Sequence, residues 1–153
     1  MNSFKPKMSD QNQKANKPLV SKYMVGVAQL ITFKPDTPIL KALDTMLEKH
    51  ITGAPVLNDK GEVVGLIDDK DCLNILVGGG YYNHPIGKET VSSYMSNVMK
   101  TISINIDIFM AATILLTTPY KRLIVLDENG KLAGQISRRD ILRAIKDLNM
   151  NTW

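Results

Sequence analysis

The sequence predicts an α/β (α+β) fold in which one β-α-β-β-α unit occurs twice within 153 residues. Three observations support this prediction. The chain repeats itself at a separation of 69 to 71 residues, apolar residues recur at helical and strand spacing in the same order in both copies, and a turn that ends in glycine divides the last two strands of each copy. A chain of this length can bury a core of its own.

The repeat is clearest in the C-terminal half of each copy. Residues 56–73 superpose on residues 125–142 at an offset of 69, and seven of these 18 pairs are identical. Further upstream, residues 20–24 match residues 91–95 at an offset of 71, and Asp36 matches Asp107 at that same offset. The change of offset predicts a two-residue deletion in the second copy, between its long helix and the strand that follows.

Each copy is expected to open with a short helix and an extended segment. The helix ends in a Tyr-Met pair, and the extended segment covers residues 30–33 in the first copy and 101–104 in the second. A longer helix then begins near the aligned aspartate. In the first copy Thr37 can cap this helix with Pro38 at its first position, and the helical spacing of apolar residues predicts a core-facing stripe of Ile39, Ala42, Leu43, Met46 and Leu47.

A hairpin and a final helix complete each copy. The glycines at 61 and 130 close the turns of the two hairpins, whose strands are expected at residues 54–57 and 62–67 and at residues 123–126 and 131–136. The last helix starts after Asp68 or Ser137 and is expected to bury Cys72, Leu73 and Leu76 in one copy and Ile141, Leu142, Ile145 and Leu148 in the other. The domain organisation is therefore a basic tail (1–18), a first repeat (19–77), a glycine-rich linker (78–90) and a second repeat (91–149).

Composition excludes several classes of protein. With 44% hydrophobic and 22% charged residues, the chain is typical of a globular protein. Its apolar runs are too short to cross a bilayer, so we expect no membrane association, and the N-terminus has no apolar signal core, so we expect a cytoplasmic location. The single cysteine, Cys72, cannot form an internal disulfide, and His50 and His84 lack metal-ligand spacing.

These features resemble a tandem pair of cystathionine-β-synthase (CBS) domains, a Bateman module. The resemblance rests on the Tyr-Met pairs, on the strands that lead into 56–61 and 125–130, and above all on residues 65–71 and 134–140. It covers about residues 19–149. It implies that the repeats pack about a pseudo-twofold axis, that two clefts bind adenosine-containing ligands, and that two modules form a flat homodimer.

The resemblance places the principal nucleotide site in the second repeat. Ser137 and Asp140 match the family's Ser/Thr-x-x-Asp pattern, in which a helix N-terminus suits a phosphate and the carboxylate can accept hydrogen bonds from both ribose hydroxyls. The alternative is a plain capping box, with Ser137 as N-cap and Asp140 at the third helical position. Nearby cations, which also explain the net charge of +3 in residues 91–153, favour the ligand site. The predicted nucleotide-binding residues are Thr101, Ile102, Ser103, Lys121, Arg122, Ser137, Arg138, Arg139 and Asp140.

The first repeat departs from this pattern. Asp68 replaces the Ser or Thr, and a carboxylate at the phosphate position repels an anion. Asp71 can still hold a ribose, and Arg122 can reach a ligand held there across the pseudo-twofold axis. Asp68 and Asp71 therefore form a weaker second site, and we expect asymmetric occupancy of the two clefts.

These residues predict a non-catalytic sensor that binds AMP, ADP or ATP, with S-adenosylmethionine or NAD ranked behind, and that signals through dimer shape to an effector protein in trans. The alternative is a structural dimerisation or docking module whose nucleotide sites are vestigial. Nucleic-acid binding through the lysines of residues 1–22 ranks last, because this tail lacks interleaved aromatic residues. No acid-base pair, nucleophile constellation or metal cluster at usable spacing indicates an enzyme.

Overall fold

The computed structural model describes residues 17–79 and 86–152, so residues 1–16 of the predicted tail and residues 80–85 of the predicted linker lie outside the described residues. The first copy contains β1 (Val25–Gly26), α1 (Ile39–Glu48), β2 (Gly53–Leu57), β3 (Val63–Asp68) and α2 (Asp69–Asn74). The second contains β4 (Thr101–Ser103), α3 (Ile108–Thr117), β5 (Arg122–Leu126), β6 (Leu132–Ser137) and α4 (Arg138–Thr152). Single helical turns occur at Val20–Lys22, Ile75–Gly79, Ile86–Lys88 and Val91–Ser93.

The predicted fold class is confirmed, and the hairpin strands lie within one residue of their predicted bounds. In the second copy β1, β6, β5 and β4 form one sheet in that order, with β4 parallel to β5 and the other pairs antiparallel. In the first copy β2 and β3 are antiparallel. The glycines at 61 and 130 close the two hairpins with φ angles of 79° and 77°, a left-handed conformation that glycine adopts without steric cost.

The opening segment of each copy packs into the other copy. Val20 and Tyr23 lie in the core formed by α3, α4 and the four-stranded sheet, and β1 pairs with β6. Val91 lies in the core of the first copy, and Ser96 bridges Leu66 of β3. The two repeats are therefore joined by an exchange of chain as well as by surface contact.

The two-residue length difference lies earlier than predicted. Phe33 pairs with Val56 and Ile102 pairs with Val125, so the copies already superpose at an offset of 69 at the first strand of each. The prediction of a deletion after the long helix is wrong, and the first copy has two additional residues between β1 and Phe33. The identity of Asp36 with Asp107 misled the alignment: the carboxylate of Asp107 caps α3 by accepting the Met110 N–H, whereas Asp36 is not at a cap.

The start of α1 also differs from the prediction. Pro38 is the N-cap residue and makes no side-chain cap hydrogen bond. The Thr37 hydroxyl instead accepts the Lys34 N–H at 3.1 Å, so it stabilises the turn that precedes the helix. The Ile39 N–H is satisfied by the Glu89 carbonyl oxygen, which comes from the segment that enters the second copy.

Several residues predicted to be in the core are exposed. Cys72, Ile141 and the α1 residues Ile39, Ala42 and Met46 are buried, as expected. The exceptions lie on the outer side of the helices, where they form a second apolar stripe: Leu47, Leu73, Leu76, Leu142 and Ile145 are all more than half exposed. Within the described ranges, no helix is long and apolar enough to span a membrane.

Candidate functional site

A cleft of about 580 Å³ lies between the two copies. One wall comes from the first copy, through the segment around β1 and the residues that follow α1. The other wall comes from the second copy, at the start of β5, the end of β6 and the start of α4. The lining residues are Val25, Gln29, Leu30, Ile31, His50, Ile51, Thr52, Gly53, Lys121, Arg122, Gln135, Ser137, Arg138, Arg139, Asp140 and Arg143.

The structure brings six of the nine predicted residues of the principal site together in this cleft. They are Lys121, Arg122, Ser137, Arg138, Arg139 and Asp140. The other three, Thr101, Ile102 and Ser103, are not among the lining residues, because they form β4 at the far edge of the sheet from β1. The cleft is lined instead by Leu30 and Ile31, because the opening segment of the first copy crosses over to the second.

The β6–α4 junction holds Asp140 in a network of hydrogen bonds. Its Oδ2 accepts the Ser137 N–H at 2.8 Å and the Ser137 hydroxyl at 3.1 Å. Its Oδ1 accepts from Arg143 Nη2 at 2.9 Å, and Arg143 also donates to the Tyr23 carbonyl oxygen. Asp140 is only 4% exposed. Oδ1 accepts this hydrogen bond from Arg143 and can accept a further one from a ligand hydroxyl that enters the cleft.

Arg122 is turned across the boundary between the copies. Arg122 is only 8% exposed, and its Nη2 donates to the Thr52 hydroxyl at 2.9 Å. Burial lowers the pKa of the Arg122 guanidinium, while the charges of Asp68 and Asp69 act in the opposite direction. Gly53 makes this position possible, since an added Cβ at Gly53 would lie 2.7 Å from the Arg122 Cζ.

The equivalent junction of the first copy is acidic and closed on itself. Asp68 Oδ1 accepts the Asp71 N–H, and Asp71 Oδ2 accepts the Asp68 N–H, which is a complete capping box. The Asp69 N–H is also used, by the Thr52 carbonyl oxygen. Burial raises the pKa of Asp71 to about 6, and the charges of Asp68 and Asp69 raise it as well. An anionic ligand at this junction would meet three carboxyl groups.

Sequence reasoning missed ten of the lining residues. Three of these, Arg143, Thr52 and Gly53, had a signal in the sequence. Arg143 follows Asp140 at the i, i+3 spacing of a helical ion pair. Thr52 and Gly53 are the counterparts of Lys121 and Arg122 at an offset of 69. Gln29, Leu30 and Ile31 had none, because the exchange of opening segments is invisible in a repeat alignment. His50, in a left-handed conformation at the end of α1, reaches the cleft as well.

The charges of the cleft favour an anionic ligand. Five cationic side chains line it against one carboxylate, that of Asp140: Lys121, Arg122, Arg138, Arg139 and Arg143. The N-terminus of the 15-residue helix α4 adds partial positive charge to the same wall. Leu30, Ile31 and Val25 supply an apolar surface beside it, so one end of the cleft suits a phosphate and the other suits a flat ring.

Comparisons with known proteins agree with this architecture. CBSX1, a chloroplastic CBS domain-containing protein of Arabidopsis thaliana, is 30% identical over 148 residues, which cover 82% of this chain and 63% of CBSX1. CBSX2 from the same plant is 28% identical to this chain, and the match covers 66% of the length of CBSX2. The chain therefore spans slightly less than two thirds of these two relatives. The crystal structure of CBSX2 in complex with AMP superposes with a TM-score of 0.73 at 29% identity, over 86% of this chain and 98% of that chain.

The family model for the CBS domain matches two stretches of the chain, residues 20–78 and 91–147. Together these stretches include most of the sequence, and their boundaries fall close to the two copies of the repeat. Pairs of such domains are regulatory modules. The chain belongs to the CBS-domain family, in which it is a tandem pair.

Proposed function

We propose that this chain is a non-catalytic regulatory module that binds an adenine nucleotide such as AMP in the cleft between its repeats. The observation that carries the proposal is the convergence of Arg122, Ser137, Asp140 and the α4 N-terminus on one cleft. A phosphate fits the cationic wall, and the ribose hydroxyls fit Asp140 Oδ1. The AMP complex of the related CBSX2 supports the choice of ligand.

The proposed signal is a change in how the two repeats are held together. Arg122 from the second copy contacts Thr52 of the first. A phosphate that draws the Arg122 guanidinium would weaken that contact and change the interface between the copies. A homodimer or an effector protein in trans could respond to such a change, provided that it has different affinities for the two states.

The second candidate function is a dimerisation or docking module with a vestigial site. The internal use of Asp140 favours it, because both carboxylate oxygens already accept hydrogen bonds within the chain. This candidate predicts that the outer helix faces have a partner and that the cleft has no ligand. A thermal-shift panel of AMP, ADP, ATP, NAD and S-adenosylmethionine separates the two functions.

The central test compares Asp140→Ala with Asp71→Ala, which alters the equivalent position of the first copy. We expect calorimetry to show that Asp140→Ala loses AMP binding, because it removes the ribose acceptor, and that Asp71→Ala retains it. Each variant's melting temperature without ligand separates a lost cap from a lost contact. A larger loss for Asp71→Ala would move the principal site to the first copy, and no AMP binding by the unmodified chain would leave the docking module in front.

A further inference from the structure

Gln135 has a buried oxygen that no group in the chain satisfies. Its Oε1 is buried and has no hydrogen-bond partner among the residues that the structure describes. Leaving a buried acceptor unpaired costs on the order of 1 to 3 kcal/mol, so such atoms are uncommon in folded proteins. Gln135 lies in β6 and lines the cleft. The side chain therefore borders the space in which a ligand would lie, and rotation of its terminal amide would bring Oε1 to that ligand.

The other copy has no such group at the equivalent position. Gln135 corresponds to Leu66 at the offset of 69, and both lie in the central part of the last hairpin strand. An apolar residue is sufficient for this strand to pack in the first copy. The fold of the repeat thus does not require an amide at position 135, and the free-energy cost of its unpaired oxygen needs another explanation.

The register of the sheet places Gln135 at a distance that suits the base of a nucleotide. Ser137 is paired with Arg122, and Gln135, two residues earlier on the same face of β6, is paired with Ile124 and Val25. Two residues of a strand span about 7 Å, which is similar to the distance from a ribose to the far edge of its purine. A nucleotide with its phosphate at Arg122 and its ribose at Asp140 would direct its base toward Gln135.

A second amide borders the same end of the cleft. Gln29 lines it from the rim, and it lies in the segment between β1 and Phe33 that is two residues longer than its counterpart. Leu30 and Ile31, from the same segment, provide apolar contact for a ring. The longer segment therefore contributes three residues to the lining of the cleft that Gln135 also lines.

We propose that Gln135 recognises the edge of the ligand's adenine base, with Oε1 accepting from the exocyclic amino group and Nε2 donating to a ring nitrogen. A glutamine amide presents an acceptor and a donor side by side, which matches an adenine edge in a bidentate manner. This inference rests on the proposed function, because it needs a nucleotide in the cleft. It adds that base selectivity depends on a side chain of β6.

The test compares AMP with purine riboside 5′-monophosphate, which is AMP without its amino group. We expect the unmodified chain to bind AMP about tenfold more tightly than this analogue, as is reasonable for one buried hydrogen bond. In Gln135→Leu, which introduces the residue of the other copy, the ratio of the two dissociation constants should fall toward one. Leu66→Gln is the matched control and should leave the ratio unchanged.

The outcomes are separable. AMP binding by Gln135→Leu with an unchanged ratio would overturn the role of Gln135 and leave the proposed function intact. Failure of the unmodified chain to bind either compound would instead overturn the proposed function. Since Gln135→Leu removes an unpaired polar atom, we expect its melting temperature without ligand to equal or exceed that of the unmodified chain, and Gln135→Met provides a second apolar variant if Gln135→Leu does not fold.

Discussion

Asp71 and Asp140 occupy equivalent positions, yet their carboxyl groups lie in opposite electrostatic surroundings. Asp140 is paired with Arg143 at 2.9 Å. Asp71 instead shares a capping box with Asp68, and Asp69 is adjacent. The charge of Arg122 interacts with Asp68 and Asp69. One duplicated residue thus became an ion-paired acceptor in one copy and a partly buried acid with a raised pKa in the other.

The raised pKa of Asp71 predicts a specific pH dependence of stability. The pKa is about 6 in the folded chain and 3.8 ordinarily, so between these values the folded state binds more protons than the unfolded state. The contribution of Asp71 to the free energy of unfolding therefore falls as pH rises from about 4 to about 6 and is constant above that range. Asp71→Asn cannot titrate but keeps an oxygen for the Asp68 N–H. Its stability relative to the unmodified chain should rise across this range.

Urea unfolding at several pH values from 4 to 7 measures this difference. Asp71→Ala is the control, since it also cannot titrate but loses the oxygen that accepts the Asp68 N–H. It should show the same pH trend as Asp71→Asn, displaced to lower stability at every pH. Parallel pH profiles for Asp71→Asn and the unmodified chain would show that Asp71 titrates alike in the folded and unfolded states.

At the scale of elements, the starts of β2 and β5 meet across the boundary between the copies. Gly53 and Arg122 are equivalent by the repeat, and the Arg122 guanidinium occupies the space that a side chain at Gly53 would fill. A large residue at one of these two positions thus requires a small one at the other. The asymmetry of the cleft follows from this packing as well as from the charges of the flanking helices.

Gly53→Ala should therefore be destabilising, and the cost should depend on Arg122. We expect a loss of about 1 to 3 kcal/mol in the free energy of unfolding, typical of an overpacked site. The loss should be smaller by at least about 1 kcal/mol when Gly53→Ala is made in an Arg122→Ala background, because the obstructing guanidinium is then absent. Urea unfolding of the four proteins gives this coupling energy.

Gly87→Ala is the matched control for that cycle. An added Cβ at Gly87 meets nothing within 4 Å, so its effect should be within a few tenths of a kcal/mol in either background. An equal cost of Gly53→Ala with and without Arg122 would mean that Cβ conflicts chiefly with the Ile67 carbonyl oxygen, which lies 3.1 Å away.

The elements also show which features could be predicted from sequence. The hairpins were predictable because strand periodicity and turn glycines are local signals, and the cations near Ser137 were predictable because the β6–α4 junction is contiguous in sequence. The position of Thr101–Ser103 was not, since it depends on which copy's opening segment crosses to which sheet. Gln135 was passed over for another reason: only a structure shows that its oxygen is buried without a partner.

For the whole molecule, the outer helix faces carry exposed apolar surface in both copies. Leu47, Leu73 and Leu76 surround a hollow of about 430 Å³ on α1 and α2, and Leu116, Leu142 and Ile145 border one of about 510 Å³ on α3 and α4. Patches of this kind usually mark interfaces. We propose that these faces join two copies of the chain into a homodimer.

Leu116→Glu should weaken that homodimer strongly. Leu116 is 86% exposed in the single chain, so the substitution should not disturb its core, but it would bury a carboxylate in an apolar interface. Sedimentation should show a dimer for the unmodified chain and a monomer for the variant at the same concentration. Val98→Glu is the control, because Val98 is 71% exposed and lies outside the helix faces. A stable monomer for the unmodified chain at tens of micromolar would contradict the proposal.

The exchange of opening segments suggests how such a chain arose. Two separate single-repeat proteins could pair by each lending its first residues to its neighbour, as Val20 and Val91 do within this chain. Fusion of their genes would retain every contact and remove the dependence of pairing on concentration. After fusion each half has its own stretch of the one gene, so the two halves could then diverge in opposite directions at matched positions. By the same logic, a cut between residues 80 and 85 should yield fragments that fold poorly alone and recover their structure when mixed.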